Sequence, residues 1–123
     1  MDTTQISNQS EVIRMKTKDE LPACPVATAV SLIGGKWKLL ILRNLRMRPW
    51  RFNELLRDLD GISQKVLTDS LRQLIDDGLV YRGDYRELPP RVEYGLTELG
   101  MQILPVLDVL ADFGNYYKGA VGQ

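Results

Sequence analysis

The stretch from Gly61 to Gly78 shows the clearest pattern of apolar and polar positions in the chain. Ser63 is a good N-cap, because its hydroxyl accepts a hydrogen bond from a backbone N–H one turn later. Gly78 suits the left-handed conformation that ends a helix. Between them the pattern predicts one capped helix that packs on a core. The apolar side chains that recur at helical spacing are Val66, Leu67, Leu71, Leu74 and Ile75.

Two apolar segments nearer the start of the chain predict a pair of helices. The first begins at Cys24–Pro25, because proline is tolerated at the first helical position, and it ends at Gly34–Gly35. The second covers residues 36–47 and is apolar on nearly all sides. This composition predicts a central buried helix that stops at Pro49.

A short third helix is expected directly before Gly61. Asn53 is an expected N-cap for it, and Leu59 lies near its end. Residues 50–52 predict an extended piece that pairs with a later hairpin. Two short helices separated by a glycine-containing turn are typical of a helix-turn-helix.

Beyond these helices the apolar period changes from 3.6 to 2 and predicts a β-hairpin. Residues 79–85 and 91–96 form its strands, and residues 86–90 form a long tip. The side chains that mark the inward face are Val92, Tyr94 and Leu96. A hairpin directly after the second helix of a helix-turn-helix is a wing. Arg86 and Arg91 are therefore expected to reach a phosphate or a narrow minor groove.

A long apolar helix is predicted at the end of the chain. Thr97 is its expected cap, and Pro105 is expected to kink it. The helix is too apolar for one small domain, so we expect it to pack with the first helix against a second copy of the chain. The alternative is that residues 106–117 fold back over the first helix within one chain. The expected dimer interface consists of Val26, Val30, Leu104, Leu107, Leu110, Phe113 and Tyr117.

The exposed face of the helix that follows Ser63 carries the groups expected to read DNA. In a helix-turn-helix the second helix lies in the major groove, and its N-terminal residues meet base edges. The hydrogen-bonding and cationic side chains crowded toward its first turns are Gln64, Lys65, Thr68 and Arg72. Asp69 either orients Lys65 or Arg72 or discriminates at a cytosine. Taken alone, the stretch also fits an amphipathic surface helix with a solvated polar face.

Composition narrows the classes of function. The chain has 123 residues and 44% hydrophobic composition, which suits one domain. Its 16 basic and 16 acidic side chains cancel, yet residues 36–57 hold seven Lys and Arg against the single Glu54. Without histidine, and with one cysteine, the His-based triads, the common zinc sites and an intrachain disulfide are excluded. We therefore expect no metal, no cofactor and no enzymatic activity.

The ends of the chain differ from its middle. Residues 1–23 are polar and predict a flexible arm, followed by one domain over 24–118 and a tail over 119–123. No apolar run approaches the ~20 residues that a membrane span needs, and the arm lacks the apolar middle of a signal peptide. A cytoplasmic protein without a membrane partner is expected.

Five motifs between Cys24 and Gly100 together indicate a family. They are Cys-Pro-Val at 24–26, Ile-Gly-Gly-Lys-Trp-Lys at 33–38, Arg-Phe-Asn-Glu-Leu at 51–55, Gly-Ile-Ser-Gln-Lys-Val-Leu-Thr at 61–68 and Pro-Pro-Arg-Val-Glu-Tyr-Gly-Leu-Thr-Glu-Leu-Gly at 89–100. In this order and spacing they resemble the HxlR-type winged-helix regulators of bacteria, relatives of the MarR group. The resemblance covers about residues 24–117. It implies a mainly α winged helix-turn-helix with a small β-hairpin wing, which forms a homodimer through its terminal helices.

The resemblance also implies a function. The implied function is sequence-specific DNA binding by a transcription regulator, and repression is the family's common mode of action. Two recognition helices on a two-fold axis read successive major grooves about 34 to 36 Å apart, so the operator is expected to be an imperfect palindrome. Ser63 lies at the start of the reading helix and belongs to the expected contact set. The side chains expected mostly on phosphate are Lys36, Lys38, Arg51, Arg86 and Arg91.

Cys24 has two interpretations. A thiol at a helix N-terminus lies at the positive end of the helix dipole, which favours its reactive anion. In some members of the resembled family, a cysteine at the matching position senses oxidants or electrophiles. The alternative is a small apolar residue kept for packing. A disulfide requires the Cys24 of a second protomer, or else a low-molecular-weight thiol.

Two other possibilities remain open at this point. A winged-helix protein-interaction module without specific DNA binding fits the same fold, and Asp69, Asp76 and Asp77 weaken the positive field of the reading helix. Steep salt dependence of binding to duplex DNA separates the two functions. A small-molecule effector is also possible beside the dimer helices, although the aromatic side chains there are more often core. They are Trp37, Phe113, Tyr116 and Tyr117.

Overall fold

The structure, a computed structural model, describes residues 16–122 and is mainly α-helical with one antiparallel hairpin. Two 3-10 turns accompany the main elements, at Lys18–Glu20 and Gly100–Ile103. The main elements in chain order are α1 (Pro25–Ile33), α2 (Trp37–Asn44), α3 (Phe52–Asp58), α4 (Gln64–Asp76), β1 (Val80–Tyr85), β2 (Arg91–Leu96) and α5 (Leu104–Val121). This order confirms the predicted winged helix-turn-helix.

The hydrophobic core lies between α2, α3, α4 and the start of β1. Its buried side chains are Ile41, Leu42, Leu45, Leu55, Leu59, Ile62, Leu67, Leu71, Leu74, Leu79 and Val80. The prediction that Val66 belongs to this face is wrong, since Val66 is 38% exposed. It lies about 100° around α4 from Leu67, at the edge of the buried stripe.

Both predicted ends of α4 are confirmed. The Ser63 hydroxyl accepts a hydrogen bond from the Val66 N–H at 3.1 Å. At the other end Gly78 has φ +80°, and this left-handed conformation returns the Leu79 N–H to the Leu74 carbonyl at 2.9 Å. The turn before α4 contains Gly61 at φ +92°, a conformation that favours glycine.

The N-cap of α3 differs from the prediction. The helix begins at Phe52, so Arg51 is the N-cap residue and Asn53 lies inside the first turn. The Glu54 carboxylate accepts the Arg51 N–H at 2.9 Å, as the third-residue carboxylate of a capping box does. This hydrogen bond is the largest cause of a Glu54 pKa below its ordinary value.

The wing pairs in the predicted manner. Its register runs from Val80 opposite Leu96 to Tyr85 opposite Arg91. Trp50 adds an isolated bridge to Tyr94, with backbone hydrogen bonds of 2.9 and 2.8 Å in the two directions. The predicted pairing between the segment before α3 and the hairpin is therefore confirmed.

The entry to α5 corrects two expectations. The Thr97 hydroxyl accepts the Gly100 N–H at 2.9 Å and donates to the Gly78 carbonyl at 2.6 Å, so Thr97 holds the turn that leads into the 3-10 turn and does not cap α5. Pro105 lies in the first turn of α5, and the predicted kink is wrong. A proline there costs no intrahelical hydrogen bond, because the first N–H groups of a helix have no partner within it.

One ion pair joins α5 to the end of α2. The Arg46 guanidinium donates to both oxygens of Asp108, at 2.8 and 3.1 Å. This contact raises the pKa of Arg46 and holds that of Asp108 below its ordinary value. It spans 62 residues of sequence and ties the last helix to the segment that follows α2.

The predicted arm and tail are only partly described. Residues 1–15 and Gln123 lie outside the described residues. In the described part of the arm, the Thr17 N–H donates to Glu20 at 2.8 Å and the Thr28 hydroxyl donates to the Pro22 carbonyl at 2.9 Å. Among residues 16–122, no single helix is long and apolar enough to span a membrane; α1 and α2 together pass by length and composition, across a 76° bend.

Candidate nucleic-acid interface

The exposed face of α4 brings together the side chains predicted to read DNA. Ser63 stands at its N-cap, and Gln64, Lys65 and Thr68 follow on the exposed surface of its first turns. Arg72 continues the same face one turn later. The helix therefore presents donors, acceptors and cations outward while its leucines anchor it to the core.

Asp69 lies between the two cations of this face. Its Oδ2 accepts from Lys65 Nζ at 2.9 Å, and its Oδ1 accepts from Arg72 Nη1 at 3.3 Å. The hydrogen bond from Lys65 is the largest cause of an Asp69 pKa below its ordinary value, and the charge of Arg72 adds to it. These are the contacts that the predicted orienting role of Asp69 requires.

The basic residues before α4 have different surroundings. Lys36 is exposed, with its Nζ 4.7 Å from the centre of the Trp37 ring, whereas Lys38 is half-buried on α2. Arg51 is exposed at the start of α3. Arg48 was not predicted as a site residue; its guanidinium stacks 4.2 Å from the Trp50 ring centre and pairs with Glu54 at 3.3 Å.

The two wing arginines are not equivalent. Arg86 is exposed at the hairpin tip. The Arg91 guanidinium lies 4.4 Å from the centre of the Tyr85 ring and donates to Glu87 at 2.6 Å, with Glu93 at 3.6 Å. Arg91 is therefore already neutralised by carboxylates, and Arg86 has the freer position for a phosphate.

A groove separates α4 from the wing. It has a volume of about 450 Å³ and an apolar floor that includes Leu71, Ile75 and Tyr94. Its polar rim includes Arg72 and also Arg82, which the sequence prediction missed. The signal for Arg82 was a cation two residues after Val80, on the same strand face, where it lies opposite Tyr94. The groove differs from the effector space predicted beside α5, whose aromatics Phe113, Tyr116 and Tyr117 are exposed in the single chain.

Cys24 and the predicted dimer residues lie away from this interface. Cys24 is exposed at the N-cap of α1, and its carbonyl accepts the Thr28 N–H at 2.9 Å. Val26, Val30, Leu110, Phe113 and Tyr117 are exposed, whereas Leu104 and Leu107 are half-buried. Within residues 16–122, no three Cys, Asp or Glu side chains cluster as metal ligands would.

Comparison with known proteins matches this geometry to a family. A model of the HxlR-like helix-turn-helix family matches residues 32–121. An HTH-type transcriptional regulator of Methanothermobacter thermautotrophicus is 46% identical over 99 residues, which cover 80% of this chain and 76% of the relative. The redox regulator HypR in its oxidised form superposes with a TM-score of 0.72 at 40% identity, covering 76% of this chain and 96% of that one. The reduced form of the transcriptional regulator YodB from Bacillus subtilis superposes with a TM-score of 0.69 at 34% identity, covering 76% and 93% of the two chains. The chain therefore belongs to the HxlR-like helix-turn-helix family and is a DNA-binding transcription regulator rather than an enzyme.

Proposed function

We propose that the protein acts in the cytoplasm as a homodimer that represses transcription. Each protomer places α4 in the major groove of one half-site of an imperfectly palindromic operator, and the bound dimer excludes polymerase. The observation that carries this proposal is the exposed face of α4, where base-reading side chains start directly at the capped N-terminus of the helix.

The apolar surface of α1 and α5 supports the dimer. Nine of the fifteen exposed large hydrophobic side chains among the described residues lie on these two helices. Phe113, 64% exposed, and Tyr117 are neighbours on α5, with ring centres 6.4 Å apart. Monomers rarely expose apolar patches of this kind without a partner. Val26, Val30, Leu104, Leu107 and Leu110 complete the proposed interface.

The contacts to DNA divide into two sets. Base edges are assigned to Gln64, Lys65, Thr68 and Arg72, with Ser63 at the helix start. Phosphate contacts are assigned to Lys36, Lys38, Arg51 and Arg86. Arg91 is expected to contribute less to phosphate binding, because it is already paired with two glutamates. The phosphate set supplies salt-dependent affinity and the base set supplies sequence preference.

The DNA assignment is tested on a duplex selected from a random library by the wild-type protein. Fluorescence anisotropy over a salt series compares this duplex with a scrambled one. We expect a steep salt slope on both and tighter binding to the selected duplex. Arg72→Ala is expected to cost about 1 to 3 kcal/mol on the selected duplex and little on the scrambled one. Lys118→Ala, which removes a cation outside the helix-turn-helix and the wing, is the charge-matched control.

The outcomes separate the alternatives. An equal loss of Arg72→Ala on both duplexes places Arg72 on phosphate. Absence of binding at low salt refutes DNA recognition and leaves the protein-interaction module as the function of this fold.

The dimer is tested by sedimentation velocity. Phe113→Asp is expected to convert a dimer to a monomer, because a charge in an apolar interface is left without a partner. Met47→Asp is the matched control, since Met47 is 86% exposed and lies outside α1 and α5. A wild-type monomer at micromolar concentration refutes the proposed assembly.

Cys24 is the proposed site of redox control. Its thiol is exposed beside Val26 and Val30, so a group attached there alters the proposed dimer surface. In oxidation by diamide two thiols lose two electrons and two protons to the reagent, and an S–S bond forms either between two Cys24 or between Cys24 and a low-molecular-weight thiol. The similarity to HypR, a redox regulator, supports this role.

Diamide treatment, with and without an added low-molecular-weight thiol, tests this control. We expect loss of preference for the selected duplex together with a new band on a non-reducing gel or a mass increase of one small thiol, both reversed by dithiothreitol. Cys24→Ser is expected to be insensitive. Unchanged DNA binding of the oxidised wild type refutes redox control through Cys24.

A further inference from the structure

The proposed reading face of α4 carries a carboxylate between two cations. Lys65, Asp69 and Arg72 form one connected network, in which each oxygen of the carboxylate holds one cation. The spacings of four and three residues place all three side chains on one side of the helix. The network carries one net positive charge where the two cations alone carry two.

A carboxylate here has opposite effects on the two kinds of DNA binding. Sequence-independent affinity depends on the number of phosphates that cations neutralise, so a carboxylate that engages both cations lowers it. Base recognition depends on a guanidinium or ammonium held in the correct direction, and side chains that are already oriented lose less rotamer freedom on binding. From this geometry we infer that Asp69 is a specificity-determining residue, which orients Lys65 and Arg72 toward base edges and suppresses binding to unrelated DNA.

Other charged groups near Arg72 do not replace this role. Asp76 and Arg82 share the rim of the groove with Arg72, but Asp76 lies on the far side of Arg72 from Lys65 along α4. Only a group between the two cations can hold both at once. Asp69 therefore acts through its neighbours, as a positioning residue, without itself touching a base.

This inference rests on the proposed DNA-binding function, and the experiment separates the two. Anisotropy titrations of Asp69→Asn use the duplex selected by the wild type and its scrambled counterpart, each over a salt series. We expect Asp69→Asn to bind the scrambled duplex at least about threefold more tightly than wild type. The slope of log K against log salt concentration is expected to be steeper by up to about 0.9 for each cation that becomes free to contact a phosphate. The preference for the selected duplex is expected to fall about tenfold, within the range for one good base contact.

Asp76→Asn is the control, because it removes the same charge from the same helix without touching the network. We expect it to change both duplexes alike and to leave the preference within about twofold of wild type. Asp69→Ser repeats the test with a side chain that cannot hold both cations, in case the Asn variant loses helical circular dichroism.

The results that overturn the inference are distinct from those that overturn the proposed function. An unchanged preference in Asp69→Asn and Asp69→Ser, with or without a common change in affinity, shows that Asp69 contributes charge alone. A wild type that selects no sequence, or binds selected and scrambled duplexes equally, refutes the proposed function and this inference together.

Discussion

Ser63 offers the sharpest test, because it has a structural role and a proposed DNA role that different substitutions separate. Its hydroxyl accepts the Val66 N–H at 3.1 Å at the start of α4. Ser63→Ala removes this cap and is expected to cost about 1 kcal/mol of stability for each protomer. In a chain of this length that loss lowers Tm by about 4 °C. Ser63→Asp keeps an acceptor at the same place and is expected to leave Tm within about 1 °C of wild type.

The two substitutions are expected to rank in the opposite order for DNA. A carboxylate about 4 Å from a phosphate costs about 1 kcal/mol even in water, which is about fivefold in Kd for each half-site. Ser63→Ala adds no charge and is expected to weaken binding less than twofold at a temperature where it is fully folded.

Two assays at fixed protein concentration measure these effects. Thermal denaturation followed by circular dichroism gives the stability ranking, and anisotropy with the selected duplex gives the affinity ranking. An unchanged Tm for Ser63→Ala refutes the cap argument. Equal affinities of the Ala and Asp variants refute the placement of the α4 N-terminus against DNA.

Two further predictions concern stability. Leu67→Ala is expected to lower the free energy of unfolding by about 2 to 5 kcal/mol in urea denaturation, because Leu67 is fully buried. Val66→Ala is expected to lower it by less than about 1 kcal/mol. Equal losses for the two variants contradict the assigned burial. Because the pKa of Glu54 lies below its ordinary value of 4.5, its ionised form stabilises the fold above that value, and this contribution is lost as pH falls through the lower folded pKa. The difference in unfolding free energy between wild type and Glu54→Gln is therefore expected to be constant above about pH 5 and to shrink below pH 4.5, and a constant difference down to pH 2 refutes the assignment.

Several features that local sequence determines were predicted correctly. The cap at Ser63 and the stop at Gly78 each depend on a few neighbouring residues, and both appear in the structure as expected. The change of apolar period after α4 likewise defined the two strands of the wing. Side chains on the exposed face of α4 followed directly from helical spacing.

The remaining features depend on contacts that the sequence pattern does not contain. The pairing of Arg46 with Asp108 crosses 62 residues, and only the packed structure brings these side chains together. The sequence around Pro105 fits both a kink inside a helix and a proline in a first helical turn. The 3-10 turn at Gly100–Ile103, which the structure shows, decides between them. Asn53 is a good capping residue in isolation, but α3 begins two residues earlier than that cap requires, with Arg51 as the N-cap and its N–H bonded to Glu54.

The two hydrogen bonds between Trp50 and Tyr94 have a mechanical consequence. A two-stranded hairpin alone is marginally stable in water. Here Tyr94 of β2 is hydrogen-bonded to Trp50, which lies just before the helix-turn-helix. These hydrogen bonds therefore couple the position of the wing to that of the segment leading into α3. In the proposed dimer, we expect a chemical change at α1 or α5 to alter the distance between the two reading helices. That distance sets the spacing of operator half-sites that the dimer can bind.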